Sequence, residues 1–324
     1  SFCSISGVSN SSNSGWDCLI SGRGNSSNTG DYCSISGYNN SSNTGDYNII
    51  AGEDNQNIAA TATHNAVFGE GNSSSGNELT GHHNSISGSF NLSNSGNNCL
   101  ISGSYNQSNS GNYCSISGSF NQSNSGNNCL ISGSANTSNT GRYSSISGKY
   151  NNDNSGSYCL ISGYGGYMLS FNNSGDYCVI GGRNNINNEG DFNIIVGEEN
   201  EDIASTATHN AVFGEDNSAS GVELTGHHNI ISGRNNHSNT GRYCSISGRG
   251  NNSNSGDYCL ISGSSNHSNS GSFCSISGWL NSSNTGDYSV LSGYYSKNSY
   301  YGAQVHAAGR FSTNGDAQTM ITVA

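Results

Sequence analysis

Eleven cysteines could carry covalent or metal chemistry in this chain of 324 residues. None lies in a C-x-x-C pair, so a zinc site has little support. Coils stacked about 4.8 Å apart would bring successive cysteines within reach of a disulfide. The alternative is a ladder of buried thiols that act as small hydrophobes, because asparagine or serine replaces cysteine in some repeats. Either way the inward ladder comprises Cys3, Cys18, Cys33, Cys99, Cys114, Cys129, Cys159, Cys178, Cys244, Cys259 and Cys274.

Histidines and pairs of adjacent acidic residues, here called the acidic words, could hold a metal ion. Two adjacent histidines on a strand point to opposite faces, so an ion shared within one chain is not expected, although an oligomer axis could gather identical histidines. The acidic words could bind calcium, but solvated turns explain them equally. We expect no metal site and no cofactor. The residues concerned are His64, His82, His83, His209, His227 and His228, with Glu53-Asp54, Glu198-Glu199 and Glu215-Asp216.

Tyrosines offer the best candidate for a binding surface. They recur in register, and rings on a flat face can stack on sugars while their hydroxyl groups form hydrogen bonds. The alternative is that they only cover a strand or a seam between chains. The glycan-binding candidates are Tyr32, Tyr47, Tyr113, Tyr143, Tyr243 and Tyr258.

N-x-S/T sequons recur at equivalent places in the polar connectors. One interpretation is turn chemistry, since Asn and Ser favour turns. The other is a row of N-linked glycans, if the chain passes through a secretory pathway. The asparagines are Asn10, Asn25, Asn40, Asn91, Asn106, Asn121, Asn136, Asn236, Asn251, Asn266 and Asn281.

All these residues are positioned by a five-residue sequence motif, here called the word, that recurs every fifteen residues. Examples are CSISG at Cys3 to Gly7 and CLISG at Cys18 to Gly22. Strand alternation predicts that Cys and Ile point inward, and that the preceding aromatic and the alternating Ser or Leu point outward. The connector glycine is expected to close a turn with a left-handed backbone. One coil could contain fifteen or thirty residues.

Fixed-period repetition predicts an all-β fold, a parallel β-solenoid in the form of an elongated rod without helices. Residues 1–293 form the repeat region, and 294–324 a non-repeat tail or cap. The irregular blocks 53–88 and 198–233 are copies of one another in which half-coils of about seven residues are expected. An insertion lies near 164–171.

Composition narrows the classes of function. Only 31% of residues are hydrophobic, proline is absent and the formal net charge is -12. A thin solenoid core tolerates this composition, whereas a negative surface repels nucleic acid. No apolar run is long enough to cross a membrane. Neither a GxSxG element nor a nucleotide loop is present, so we expect no enzyme. The first residue is Ser, which suggests a processed chain or a fragment.

The N-x-[VI]-x-G words, such as Asn65-Val67-Gly69, resemble the left-handed β-roll repeats of trimeric autotransporter adhesin heads and phage fibres, and look like the β-roll of ryegrass antifreeze protein. The tail, from Gly302 through Phe311 to Gly315-Asp316-Ala317-Gln318, resembles the segment that follows such repeats in phage and giant-virus fibre proteins. The resemblance implies a homotrimeric virion fibre or appendage.

A structural fibre subunit that contributes to host attachment is therefore the leading hypothesis, at a virion surface or outside the cell. The alternatives are a subunit of an extracellular filament or bacterial adhesin, and an ice-binding protein. A leucine stripe that includes Leu19 and Leu100 predicts self-association, with a trimer favoured. The expected partners are copies of the chain and host-surface glycans.

Overall fold

The computed structural model describes residues 2–73, 78–165, 172–217 and 224–322. Those residues form strands, bends and turns, and none of them lies in a helix that could cross a membrane. The predicted all-β class and parallel β-solenoid are confirmed. The chain divides into two compact units, Ser1–Tyr158 (unit 1) and Cys159–Ala324 (unit 2).

Each strand of unit 1 begins one residue after the Cys position of the word and pairs in parallel with its neighbour. Ser4 lies opposite Leu19, and Leu19 opposite Ser34, so one coil contains fifteen residues and not thirty. The strands are β1 (Ser4–Ile5), β2 (Leu19–Arg23), β3 (Ser34–Tyr38), β4 (Ile49–Glu53), β5 (Ala66–Glu70), β6 (Ser85–Ser89), β7 (Leu100–Ser104), β8 (Ser115–Ile116), β9 (Leu130–Ile131) and β10 (Ser145–Ile146).

Unit 2 repeats the pattern and adds a small second sheet, in which β13 pairs in parallel with β15. Its strands are β11 (Leu160–Tyr164), β12 (Val179–Arg183), β13 (Ile186–Asn188), β14 (Ile194–Glu198), β15 (Glu201–Ile203), β16 (Ala211–Glu215), β17 (Ile230–Arg234), β18 (Ser245–Arg249), β19 (Leu260–Ser264), β20 (Ser275–Trp279), β21 (Val290–Tyr294), β22 (Ala303–Ala308) and β23 (Gln318–Thr322).

The apolar half of the core comes from the word itself. Cys33 and Ile35 are buried, whereas Leu19 on the outer face of the adjacent coil is half-exposed. Strand alternation requires this arrangement, and the predicted inward and outward positions of Cys, Ile and Leu are confirmed. Each isoleucine taken out of water stabilises the coil by roughly 1.5–3 kcal/mol.

The other half of the core is asparagine, which the sequence pattern placed in a surface connector. Asn106 and Asn109 are 0% and 2% exposed. The Asn109 side-chain amide donates to Oδ1 of Asn94 and to the backbone oxygen of Asn121, each about one coil away, at 3.1 and 3.0 Å. Two columns of stacked amides therefore run through each unit, and their buried polar groups are satisfied by the coils on either side.

Glycines occur where successive coils approach most closely. Gly22, the last residue of its word, has φ +104°, and a Cβ there would collide with the carbonyl oxygen of Gly37. The connector glycine was expected to have a left-handed backbone, and this is wrong: Gly30 does not have a positive φ. Gly30 is needed because a Cβ would collide with the carbonyl oxygen of Gly45 in the next coil.

The irregular blocks consist of longer coils, so the expected half-coils of about seven residues are wrong. Ile49 lies opposite Ala66, seventeen residues on, and Ala66 opposite Ser85, nineteen residues on. The coil that follows Gly52 closes a turn in which the backbone N–H of Ala62 donates to the oxygen of Ala59 at 2.8 Å. In the coil of seventeen residues, the exposed Ala60 and Thr61 lie in this turn, and the strand register is unbroken. Residues 74–77, 218–223 and most of the insertion near 164–171 lie outside the described residues.

The tail begins as one more coil. Strand β22 pairs in parallel with β21, and Val305, opposite Leu291, is buried. Strand β23 then turns back antiparallel to β22. The Asp316 carboxylate holds the connecting loop by accepting the backbone N–H of Thr313, at 2.7 Å, and those of the two residues before it. These hydrogen bonds, with Thr313 the strongest contributor, lower the pKa of Asp316.

Candidate functional site

A continuous column of eight stacked rings runs along unit 2, and we call it the aromatic column. Neighbouring rings are 4.7–4.9 Å apart between centroids and inclined by 17° or less. Each ring is one coil from the next. The members are Tyr177, Phe192, His209, His228, Tyr243, Tyr258, Phe273 and Tyr288.

The alternation pattern predicted that the rings lie on the strands, and this is wrong. Tyr243 and Tyr258 both have φ 57°, which places them in a left-handed bend two residues before the strand begins. Both remain about half-exposed. Because consecutive rings cover each other's faces, the column offers ring edges and hydroxyl groups to solvent and few open faces on which a sugar could stack.

In unit 1 the same positions form shorter stacks. Tyr32 and Tyr47 are 4.9 Å apart between ring centroids, and Tyr143 and Tyr158 are 5.0 Å apart. Tyr113 has Asn98 and Asn128 at the equivalent positions of the neighbouring coils, and it is 64% exposed. Tyr113 is therefore the glycan-binding candidate in unit 1 with the most accessible ring faces.

Histidines belong to these columns. His209 and His228 stack with centroids 4.8 Å apart, as do His64 and His83. The expectation that adjacent histidines point to opposite faces is wrong, because His228 lies in a bend: Nδ1 of His227 and Nδ1 of His228 are 3.1 Å apart. Burial, followed by the neighbouring His228, lowers the pKa of His227. Across the described ranges, no three His, Cys, Asp or Glu side chains are grouped to hold a metal ion.

Two of the acidic words form ion pairs on the surface of unit 2. Glu198 lies 3.1 Å from Arg183, and Glu215 lies 3.0 Å from Arg234. Both pairs join adjacent coils and are exposed, so each contributes little stability. These carboxylates neutralise arginines.

An exposed aliphatic face accompanies the strands. Its residues stand three before the last glycine of the word and are 38–54% exposed. They alternate with Ser or Ala from coil to coil, except that Leu160, Val179 and Ile194 occupy three successive coils. Contiguous apolar surface of this kind is typical of association sites. In unit 1 the face comprises Leu19, Ile49, Leu100 and Leu130, and in unit 2 it comprises Leu160, Val179, Ile194, Ile230, Leu260 and Val290.

The eleven cysteines are thiols in this structure, and all but Cys3 are buried. Cys114 donates its S–H to the backbone oxygen of Gly126 at 3.1 Å. Ser144 and Asn48 make equivalent bonds to the next coil from the same slot, at 3.3 and 2.7 Å. The predicted slot for Cys, Asn or Ser is therefore a hydrogen-bonding position in which thiols also act as small core residues.

Stacking and burial shift the pKa values of the cysteine thiols. Burial raises the pKa of Cys33 to about 11. In the neighbouring stack, the hydrogen bond from Cys114 lowers the pKa of Cys99 to about 7, and a bond with Cys114 raises the pKa of Cys129 far above its ordinary value. Since these side chains are buried, the thiols contact other core groups and not solvent.

The sequon asparagines belong to the buried amide columns, except Asn10 in the first coil, which is half-buried. Nδ2 of Asn106 donates to the backbone oxygens of Ser102 and Gly118 at 2.8 and 3.1 Å. An N-linked glycan would replace one of these hydrogens and would have to leave the core. The folded coil has no room for a glycan at these buried positions. The hydrogen bond from Asn106 to Ser102, four residues earlier in the same coil, closes a local turn, as the turn interpretation expects.

A polar groove of about 680 Å³ crosses successive coils of unit 2 and was not among the predicted sites. Gly250 and Ser265 stand at the repeat position that Phe90 and Tyr105 occupy in unit 1, two residues after the last glycine of the word, so the groove forms where large side chains are missing. The presence of Gly and Ser where unit 1 has Phe and Tyr is visible in the sequence. These positions lie one residue after each strand ends, so a comparison of the strand positions alone misses them. Residues that line the groove include Asn235, Arg249, Asn252, Ser264, His267 and Trp279.

No protein-family model, no curated protein and no solved structure matches the chain. The resemblance to phage and giant-virus fibres rests on the residue pattern alone.

Proposed function

We propose that this chain is a structural, non-catalytic subunit of a fibre or appendage that attaches to surface glycans. The observation that carries the proposal is the aromatic column, which presents half-exposed rings at one regular spacing. The buried amide columns behind it hold successive coils in register. Aromatic rings repeated at fixed intervals suit weak contacts that gain strength by being repeated.

The column would engage sugars through its edge. Stacking covers the faces of Tyr243 and Tyr258 but leaves both side chains about half-exposed. Phenolic hydroxyl groups can donate to and accept from sugar hydroxyl groups. Contact between sugars and the hydroxyl groups along the edge of the column therefore replaces the stacking of sugars on ring faces that the sequence predicted.

Self-association is part of the proposal. The exposed aliphatic face leaves side chains such as Leu100 and Leu130 half in water, and burying them against another copy would remove apolar surface. A homotrimer is the assembly implied by the fibres that the sequence resembles. Such a subunit would work at a virion surface or outside the cell, and an extracellular filament or bacterial adhesin is the alternative setting.

Ice binding is a second candidate function, favoured by one observation. The residue seven after the last glycine of the word is an exposed Ser or Thr in many coils, including Thr29, Ser110 and Thr240. Hydroxyl groups repeated once per coil form the kind of regular array that could order water. Thermal hysteresis in a freezing assay would support this function, and freezing-point behaviour like that of an inert protein would exclude it.

The attachment proposal is tested on a glycan array with the intact chain and a variant in which the four tyrosines of the aromatic column, Tyr177, Tyr243, Tyr258 and Tyr288, are changed to Phe. The variant keeps the rings and removes four hydroxyl groups, so we expect at least a tenfold loss of binding with an unchanged circular dichroism spectrum. Tyr105→Phe and Tyr150→Phe, which lie in another column, form the matched control and should bind as the intact chain does. Undiminished binding by the fourfold variant would contradict the role of the column.

A further inference from the structure

One column of unit 2 has a ring missing at the groove. Arg249 lies opposite Ser264, Ser264 opposite Trp279 and Trp279 opposite Tyr294 in successive coils. Trp279 and Tyr294 stack with centroids 4.7 Å apart and planes inclined by 12°. One face of the indole is therefore covered by Tyr294, while its other face looks over Ser264, whose side chain is too small to cover it.

The opening has the size of one ring. Coils are spaced by about 4.8 Å, so Trp279 and Arg249 are separated by roughly 10 Å along the column. A flat ring placed over Ser264 would lie one coil spacing from the indole on one side and one from the guanidinium on the other. Trp279 is 51% exposed, so the position is open to solvent.

The groove carries an exposed cation, Arg249. The ion pairs of this surface use Arg183 and Arg234, and among the described residues no carboxylate lies within ion-pair distance of Arg249. An exposed guanidinium can bind a carboxylate or sulfate through two parallel hydrogen bonds. In a chain with net charge -12, a single such cation favours a ligand with one negative group over a polyanion.

The remaining lining is suited to hydroxyl groups. Asn252 accepts the backbone N–H of His237 through Oδ1 at 2.8 Å, which leaves its Nδ2 hydrogens without a protein acceptor in the described part of the chain. Ser264 and His267 add further polar groups beside it. An aromatic platform bordered by a few polar groups is the usual composition of a sugar site.

We infer that this groove binds an acidic monosaccharide unit, with its ring stacked on the free face of Trp279 and its carboxylate or sulfate held by Arg249. The inference rests on the proposed glycan attachment and deepens it, because it assigns one site and one ligand class within an otherwise repetitive surface. It differs from the edge contacts of the aromatic column, since here a ring face is open.

Fluorescence of Trp279 tests the inference directly. The chain has two tryptophans, so Trp16→Phe leaves Trp279 as the single reporter. We expect methyl glucuronide to change its emission saturably and methyl glucoside to bind at least tenfold more weakly. Arg249→Gln should remove the preference for the acid, and Ser264→Tyr should fill the gap and abolish binding. Ser119→Tyr, at the equivalent position of unit 1, is the matched control and should leave binding unchanged.

Several results would overturn the inference. Equal affinity for the acidic and neutral sugars, or binding that survives Ser264→Tyr, would remove the acidic sugar from this groove. Binding of the planar dye thioflavin T with no response to either sugar would make it a site for flat aromatic molecules. If the intact chain still binds the glycan array in those cases, the inference alone fails. If the intact chain binds no glycan at all, the proposed function fails with it.

Discussion

The side-chain amide of Asn121 donates a hydrogen bond to Oδ1 of Asn106, one coil earlier, at 3.1 Å. The same amide donates to the backbone oxygens of Ser117 in its own coil and Gly133 in the next coil, at 2.8 and 3.3 Å. One buried asparagine thus joins three consecutive coils. Such amides, together with the strand ladder, hold successive coils in register.

Removing one of these amides should weaken the solenoid. In Asn121→Ala the backbone N–H and side chain of Asn136 lose their acceptor, and buried oxygens lose their donor. Each buried polar group left without a partner costs about 1–3 kcal/mol. We expect the free energy of unfolding to fall by about 2–4 kcal/mol, measured by urea denaturation.

The matched control for that variant is Ser125→Ala, which removes a polar side chain from an exposed position in the same coil. It should change the free energy of unfolding by less than about 0.5 kcal/mol. Equal destabilisation by the two substitutions would mean that the amide column does not stabilise the fold.

Stability should also fall at alkaline pH because of Cys33. Burial raises the pKa of this thiol from its model-compound value of 9.0 to about 11. The folded chain therefore keeps the proton to a higher pH than the unfolded chain does. This contribution is complete below pH 9 and is lost as the pH rises from 9 to about 11.

Urea denaturation at pH 8.5 and 10.5 measures the effect. We expect the intact chain to lose about 2 kcal/mol more than Cys33→Ser does between the two pH values. Serine is a suitable replacement because Ser144 occupies the same slot in another coil. Equal losses in the two proteins would show that Cys33 ionises as readily in the folded state as in the unfolded state.

The exposed aliphatic face should drive self-association. Changing Leu19, Leu100 and Leu130 to Asp places charge on the half-exposed face of unit 1 without touching the core. We expect the assembly to dissociate in sedimentation velocity while the circular dichroism spectrum is retained. The control changes the exposed Ser95, Ser110 and Ser125 to Asp, which adds the same charge elsewhere. Dissociation by both variants would reflect charge repulsion, and an intact chain that is monomeric would refute self-association.

Much of the fold is predictable from the sequence because strand alternation is a local property. The inward positions of Cys33 and Ile35 and the outward position of Leu19 follow from the period of two. Burial of Asn25 is not predictable in this way, since a lone asparagine would be expected at the surface. Its amide is satisfied by backbone oxygens of its own coil and of the next, Ser21 at 2.7 Å and Gly37 at 3.1 Å, and the second partner depends on the stacking of coils.

Less of the candidate site than of the fold could be predicted from the sequence. The tyrosines were identified, but their bend conformation and the mutual covering of their faces depend on backbone geometry that strand alternation does not describe. The groove joins Arg249 to Trp279, which are thirty residues apart in sequence and two coils apart in space. Only a known coil length of fifteen residues makes that relation visible.

Coils of fifteen residues stack in register, so residues one coil apart form columns. Photo-oxidation with a ruthenium complex and persulfate couples neighbouring tyrosines, and mass spectrometry then maps the dityrosine links. Mixing isotope-labelled and unlabelled chains separates links within a chain from links between chains. Within a chain we expect links between Tyr32 and Tyr47, Tyr143 and Tyr158, and Tyr243 and Tyr258, whose ring centroids are 4.8–5.0 Å apart. Links within a chain between tyrosines that are not in adjacent coils, with these three pairs unlinked, would contradict the stacking of coils in register.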